Sequence, residues 1–318
     1  MTRQAIIGMV RAAALSAALF LAGGAIPFAG SIAMLFAPAP ILIFAIGRLH
    51  PLVRTMTSIW LAAGLVLIAA GPLAGAGYLA TFGLATGMMA YMLERGYSFE
   101  LIVVVTATVM LAVVTALALA MAGSPDALLA TLHHALNEGM ERGRSLYKVF
   151  GIESGVPAET EASIVNWTVR LAPALVAMSS ALMVLVNLSL FWRWVGKHRL
   201  TYQLFGDLAK WSTPEWLIWV FLATGFGLFI PVKALGTIAL DGFVCVAAVY
   251  FCQGLAIMSF YFNMLAMPSV ARAVIYLIAG IQPVLAALVC AVGVFDLWVD
   301  FRRLKPPSQE ADNFGDFF

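Results

Sequence analysis

"LDGFVCVAAVYFCQGLAIMSFYFNM" (240–264) carries a single formal charge, at Asp241. A helix that crosses a bilayer needs about 20 mostly apolar residues, and this run exceeds that length. It belongs to an apolar stretch over 236–266 that is long for one straight span, so a tilt, a kink or a split near Gly242 is expected. Placed at 100° per residue, Asp241, Cys245, Cys252, Ser259 and Asn263 fall close to one stripe, with Gln253 and Gly254 to one side. Polar groups are costly in hydrocarbon and usually face the interior of a bundle. The stripe is therefore expected to face protein or a cavity, with lipid-facing positions among Phe243, Val249, Phe251 and Phe260.

Composition extends the membrane reading to the whole chain. The 318 residues are 63% hydrophobic and 11% charged, with mean hydropathy +0.97. A soluble domain carries about 25% charge. The net charge of +2 gives no basic surface for nucleic acid. Cys245, Cys252 and Cys290 lie inside apolar runs, as small buried hydrophobes do, and do not read as a disulfide framework or a zinc site.

Working outward, nine apolar segments are legible: 8–28, 31–47, 52–70, 75–93, 99–122, 165–192, 215–231, 236–266 and 270–298. The fold class expected is all-α, a polytopic transmembrane bundle of 8–10 membrane segments. The start of the chain resembles a signal peptide, but a second apolar segment follows at once, so 8–28 reads as a retained helix. "APAP" (37–40) interrupts the second segment, because Pro38 and Pro40 each remove a backbone donor. Such a break is tolerated in a bilayer only where protein or a watery cavity covers it. Between the fifth and sixth segments, 123–164 has Leu129, Leu132, Leu136, Met140, Tyr147 and Phe150 at near-heptad spacing, with His133, Glu138, Glu141, Arg142 and Arg144 on other faces. This is an amphipathic helical insert. The organisation expected is N-terminal transmembrane helices over 1–122, the insert over 123–164, C-terminal transmembrane helices over 165–305 and a disordered tail over 306–318.

Basic residues in short loops set orientation. Arg48 and Arg54, then Arg193, Lys197, His198, Arg199 and Lys210, then Arg302, Arg303 and Lys305 place those links and both termini in the cytoplasm of a bacterial inner membrane. Nine crossings would separate the termini. An even number is required, so one segment is re-entrant or one is two.

Chemical motifs are few. Gly196-Lys197 lacks the remainder of a phosphate loop, and there is no Gly-x-Ser-x-Gly nucleophile turn. His133, His134 and Glu138 on a surface helix read as solvated rather than metal-binding. No enzyme activity, metal or cofactor is expected. Candidate ligand-binding residues are Asp241, Cys252, Gln253, Ser259 and Asn263 of the eighth segment, Gln282 of the ninth and Asn187 of the sixth. Their bland alternative is a set of interhelical hydrogen bonds. Ala14, Ala18 and Ala22, at four-residue spacing, form a small-residue face suited to packing or to docking a partner.

At the C-terminal end, "GVFDLWVDFRRLKPP" (293–307) closes the last segment. Trp298 suits the membrane interface. Asp300 and Arg303 are expected to pair along a helix that continues to Pro306. Asp296, one turn deeper, calls for a partner from elsewhere, with Arg48 and Arg193 as candidates and Arg302 disfavoured as lying on the far side of the helix. Asp296, Asp300 and Arg303 are also candidate partner-docking residues.

"TPEWLIW" (213–219), "YFCQGLAIMSFYF" (250–262) and "VGVFDLWVDFRRL" (292–304), with "PFAG" (27–30) and "APAPILIF" (37–44), resemble the YybS-like multi-spanning membrane proteins of bacteria. That family is distantly similar to the substrate-binding S components of energy-coupling factor transporters and to MreD of the cell-elongation machinery. The resemblance implies a compact helical bundle that binds a small nutrient or acts as a partner subunit. S components dock through small residues of their first helix, which Ala14, Ala18 and Ala22 would match. The leading expectation is a small-molecule-binding or transport subunit without its own ATPase, working with an ATPase-coupled module or another membrane protein. The alternative is a scaffold for envelope or division machinery.

Overall fold

The computed structural model describes residues 3–26, 29–45, 51–149, 157–197 and 211–303, and every regular element among them is helical. The chain divides into two compact units, 1–205 and 206–318. The first contains α1 (Arg3–Ala25), α2 (Ala29–Met34), α3 (Ala39–Ala45), α4 (Pro51–Ala70), α5 (Pro72–Tyr78), a π-helical turn (Leu79–Gly83), α6 (Leu84–Glu94), α7 (Phe99–Ala122), α8 (Pro125–Val149), α9 (Ala158–Arg170) and α10 (Ala172–Lys197). The second contains α11 (Leu217–Gly227), α12 (Lys233–Met264), α13 (Ser269–Ile281) and α14 (Pro283–Val299).

Among the described residues six helices are long and apolar enough to cross a membrane: α1, α4, the continuous Pro72–Glu94 helix, α7, α10 and α12 from Leu235. The protein is an all-α polytopic membrane bundle. Three of the nine apolar segments differ from simple spans. Ala29–Phe44 and Leu217–Gly227 are short, and the last segment bends by 101° between α13 and α14. Pro283 supplies the reason for the bend: it occupies the first turn of a new helix, where its missing N–H costs nothing. α12 does not split at Gly242; it is one continuous helix of 32 residues. A side chain at Gly242 would press on Thr224 of α11, so this glycine serves packing.

Local signals set the other boundaries. Ser98 caps α7 by accepting a bond from Leu101 N, and Gly123, with φ +79, ends it. In the first unit one core joins Leu42, Met89, Leu93 and Ile102 to Val184, Leu188 and Phe191. A second joins Ala13 and Ala17 of α1 to Ile41, Ala62 and Tyr78. In the second unit Ile218, Val246 and Tyr250 form the core, flanked by Phe221 and Val294. The outer faces are as apolar as the cores: Ile68, Trp60 and Phe229 are exposed. A surface of that kind is stable in lipid.

The expected insert consists of α8 and α9, tied by Arg144, which donates from Nε to Glu161 Oε1 at 3.0 Å and from Nη2 to Oε2. Leu132, Leu136 and Met140 are half-buried and Leu129 is exposed. Helix α9 runs to Arg170, beyond 164, and α10 packs in the first unit with α7. The tail 306–318 lies outside the described residues.

Candidate functional site

Two of the nominated polar residues of the second unit, Gln253 and Asp296, meet where α12 and α14 touch. Two glycines permit the approach. A Cβ on Gly254 would overlap the Val289 carbonyl, and one on Gly293 would overlap the Tyr250 carbonyl. Small residues let backbones come this close in membrane bundles. The buried face of α12 therefore centres on Tyr250, Gln253, Gly254 and Ile257.

Asp296 of α14 points into this crossing. Its Oδ2 accepts from Arg302 Nη2 at 2.7 Å and from Gln253 Nε2 at 3.0 Å. Its Oδ1 accepts from Phe301 N at 3.0 Å. Gln253 Oε1 in turn accepts from Thr213 N at 3.1 Å and from the Thr213 hydroxyl. Arg302 Nη1 donates to the Trp211 carbonyl at 2.8 Å. The network runs from the turn after α14, through the middle of α12, to the segment before α11. Asp296 and Arg302 are 6% and 4% exposed. Desolvating such a pair costs several kcal/mol per ion, recovered only when geometry and surrounding hydrogen bonds are good. Three donors on one carboxylate supply that condition.

The identity of the partner corrects the expectation from sequence. Arg302 is the far side of a helix only if the helix continues. Here α14 ends at Val299, and Asp300 takes the left-handed conformation with φ +46. Aspartate tolerates that region better than most residues. The chain reverses, Phe301 N reaches back to Asp296, and Arg302 folds onto the same carboxylate. For the same reason Asp300 and Arg303 share no helical face; the Arg303 backbone N–H donates to the Asp300 carbonyl at 2.9 Å. Arg48, the other expected partner, lies outside the described residues, and Arg193 belongs to the first unit. Tyr261 completes the turn by donating from its hydroxyl to the Phe301 carbonyl at 2.8 Å.

The remaining nominated residues are dispersed. Asp241, Cys245, Cys252 and Ser259 are half-buried on α12. Asn263 is exposed and accepts from Arg272, whose guanidinium also donates to the Phe262 and Met267 carbonyls at 3.0 and 2.8 Å, capping the end of α12. Gln282 is exposed at the α13–α14 bend. Phe243, expected at lipid, stacks on Phe221 of α11 with ring centroids 4.9 Å apart. On α1, Ala14 and Ala18 are exposed, while Ala22 is half-buried beside Gly30.

Asn187 belongs to the first unit, where a second polar site forms around the α2–α3 break. The break is buried at Ala37, Pro38 and Ala39. In a regular helix Ala39 N would reach the Leu35 carbonyl; here it donates to Phe36 O at 3.1 Å. Asn187 Nδ2 takes its place on Leu35 O at 2.7 Å and also donates to Met183 O at 2.6 Å. The Ser16 hydroxyl donates to Ala37 O at 2.6 Å and lies 2.7 Å from the Tyr78 hydroxyl. The proline signal thus located a true break and its covering, while Ser16 and Tyr78 escaped notice. Ser16 carries a faint signal, a hydroxyl amid alanines. Sequence reasoning disfavours Arg302 and passes over Thr213 and the Trp211 carbonyl, and only the Thr-Pro dipeptide at 213–214 hints at a non-helical turn there.

A family model described as a predicted membrane protein family, DUF2232, matches residues 14–297, most of the chain, and the chain belongs to that family. No curated protein and no solved structure matches it.

Proposed function

We propose that this member of the DUF2232 family is a non-catalytic membrane subunit that works by docking another membrane protein, as a scaffold or assembly partner in the cell envelope. The observation that carries the reading is the use made of the buried polar side chains. Gln253, Asp296, Arg302 and Asn187 bond to the chain's own side chains and carbonyls, which fixes shape. The small-residue positions Ala14 and Ala18 lie exposed on α1 and suit close approach by a partner helix. The resemblance to MreD drawn from the sequence would fit the same reading. Both ends are assigned to the cytoplasmic side of a bacterial inner membrane. Basic residues at each end support this, and an even number of crossings follows if the bent α13–α14 pair enters and leaves by one face.

A second reading, a substrate-binding subunit like the S components, is favoured by the two interrupted apolar segments, since broken helices at membrane depth commonly frame transporter sites. Asp241, Cys252 and Ser259 would then face the ligand. Purification of the full chain in mild detergent, with mass spectrometry for proteins and metabolites, separates the two. An envelope-assembly protein at fixed stoichiometry is the expected result. A stoichiometric metabolite, or an ATPase pair, would overturn the scaffold reading in favour of transport.

A further inference from the structure

We propose that the groove between α1 and α3 binds an anionic phospholipid, with an acyl chain along the groove and the headgroup phosphate on Arg11. The groove is open and has a volume of about 790 Å³, within the roughly 300–1,000 Å³ of small-molecule sites. Ile7, Leu15, Phe36 and Phe44 give it apolar walls, and Gln4 and Arg11 add polar groups along α1. Gly8 keeps the wall thin, for a Cβ there would strike the Phe44 ring.

Arg11 is the reason to choose a charged lipid. It is exposed on a spanning helix, eight residues beyond Arg3, about 12 Å along the axis at 1.5 Å per residue. An arginine in a membrane segment pairs or snorkels toward the surface. Among the described residues no carboxylate forms an ion pair with Arg11. A phosphate diester supplies the missing anion and matches the planar guanidinium fork with two parallel hydrogen bonds. The Gln4 amide, two turns away on α1, adds a second donor to the groove lining. The surroundings of a spanning helix are lipid, so the charge in the groove selects among lipids.

The inference does not depend on the partner reading and has its own test. The full chain, purified in mild detergent, is mixed with phosphatidylglycerol or phosphatidylcholine of identical acyl chains and examined by native mass spectrometry. Wild type should retain one phosphatidylglycerol, with phosphatidylcholine retained at least fivefold less. Arg11→Gln should cut phosphatidylglycerol retention at least fivefold, and Arg11→Lys should cut it less. Leu15→Trp, which narrows the groove at an exposed position, should lower retention with Arg11 intact. Equal retention of the two lipids, unchanged retention by Arg11→Gln, equal retention of glycerol 3-phosphate without chains, or a polypeptide held in place of lipid would each overturn the proposal.

Discussion

Replacing Asp296 by Ala tests the network that closes the second unit. The substitution leaves the Arg302 guanidinium in a place that is 4% exposed, held by the Trp211 carbonyl, and removes the acceptor of Gln253 Nε2 and Phe301 N. Removing one member of a buried pair costs about 3–5 kcal/mol, because the other charge stays behind. Asp296→Asn keeps the volume but must turn its amide toward donors. Oδ2 faces two and Oδ1 one, so the loss should be about 2–3 kcal/mol. Arg302→Lys keeps the charge, yet one ammonium does not replace a fork reaching both Asp296 and Trp211; about 1–2 kcal/mol is expected. The double variant Asp296→Leu/Arg302→Met removes both charges and should recover at least half of the Asp296→Ala loss. Unfolding by SDS, followed by tryptophan fluorescence, gives all four values; with the single variants Asp296→Leu and Arg302→Met closing the cycle, its coupling free energy should be about 2 kcal/mol or more. If Asp296→Ala unfolds within about 1 kcal/mol of wild type, or the double variant loses the sum of the two single losses, the buried pair is not what holds the turn.

Three further outcomes follow from the same packing. Asn187→Leu, which strips the donor from Leu35 O, should cost about 1–3 kcal/mol in SDS unfolding, and hydrogen exchange should rise across 35–45. Gly293→Val places side-chain atoms against the Tyr250 carbonyl and should cost about 3 kcal/mol or more, measured as loss of monodisperse protein on gel filtration; wild-type behaviour would refute the close α12–α14 crossing. Arg144→Ala, by contrast, breaks a partly exposed pair on the insert and should shift stability by less than about 1 kcal/mol in thermal unfolding.

The class of fold was legible because lipid imposes one rule on every segment: backbone groups must bond internally, so long apolar runs become helices. Span count was less legible. Hydropathy does not register the local geometry at Pro283 or at the 37–40 prolines, so it counted nine segments where six long helices and shorter or bent pieces stand. The partner of Asp296 was hidden for a similar reason. A helical wheel drawn through 296–303 is valid only while φ stays negative, and one left-handed residue, Asp300, brings position 302 back to 296. Asn187 and Gln253 were recognised as buried polar residues from the cost of their amides in hydrocarbon. The wheel does not reveal whether such an amide meets a ligand or a carbonyl, because that depends on which other segment is broken opposite it.

That last dependence unites the polar residues of the chain. At the α2–α3 break, Ser16 and Asn187 bond to Ala37 O and Leu35 O. Past the end of α12, Arg272 bonds to Phe262 O and Met267 O. Beyond α14, Arg302 bonds to Trp211 O and Tyr261 to Phe301 O. An unsatisfied carbonyl in hydrocarbon costs several kcal/mol, so each interruption demands a donor from elsewhere. A chain with 11% charged residues has few such side chains, and Arg272 and Arg302 are among those that close its breaks. A ligand site would need polar atoms of another kind, and the half-buried candidates on α12 are Asp241, Cys252 and Ser259 of the uninterrupted stretch. Substituting these three while leaving the capping residues intact therefore separates binding from folding: a scaffold tolerates the change, whereas a substrate-binding subunit loses its ligand and keeps its fold.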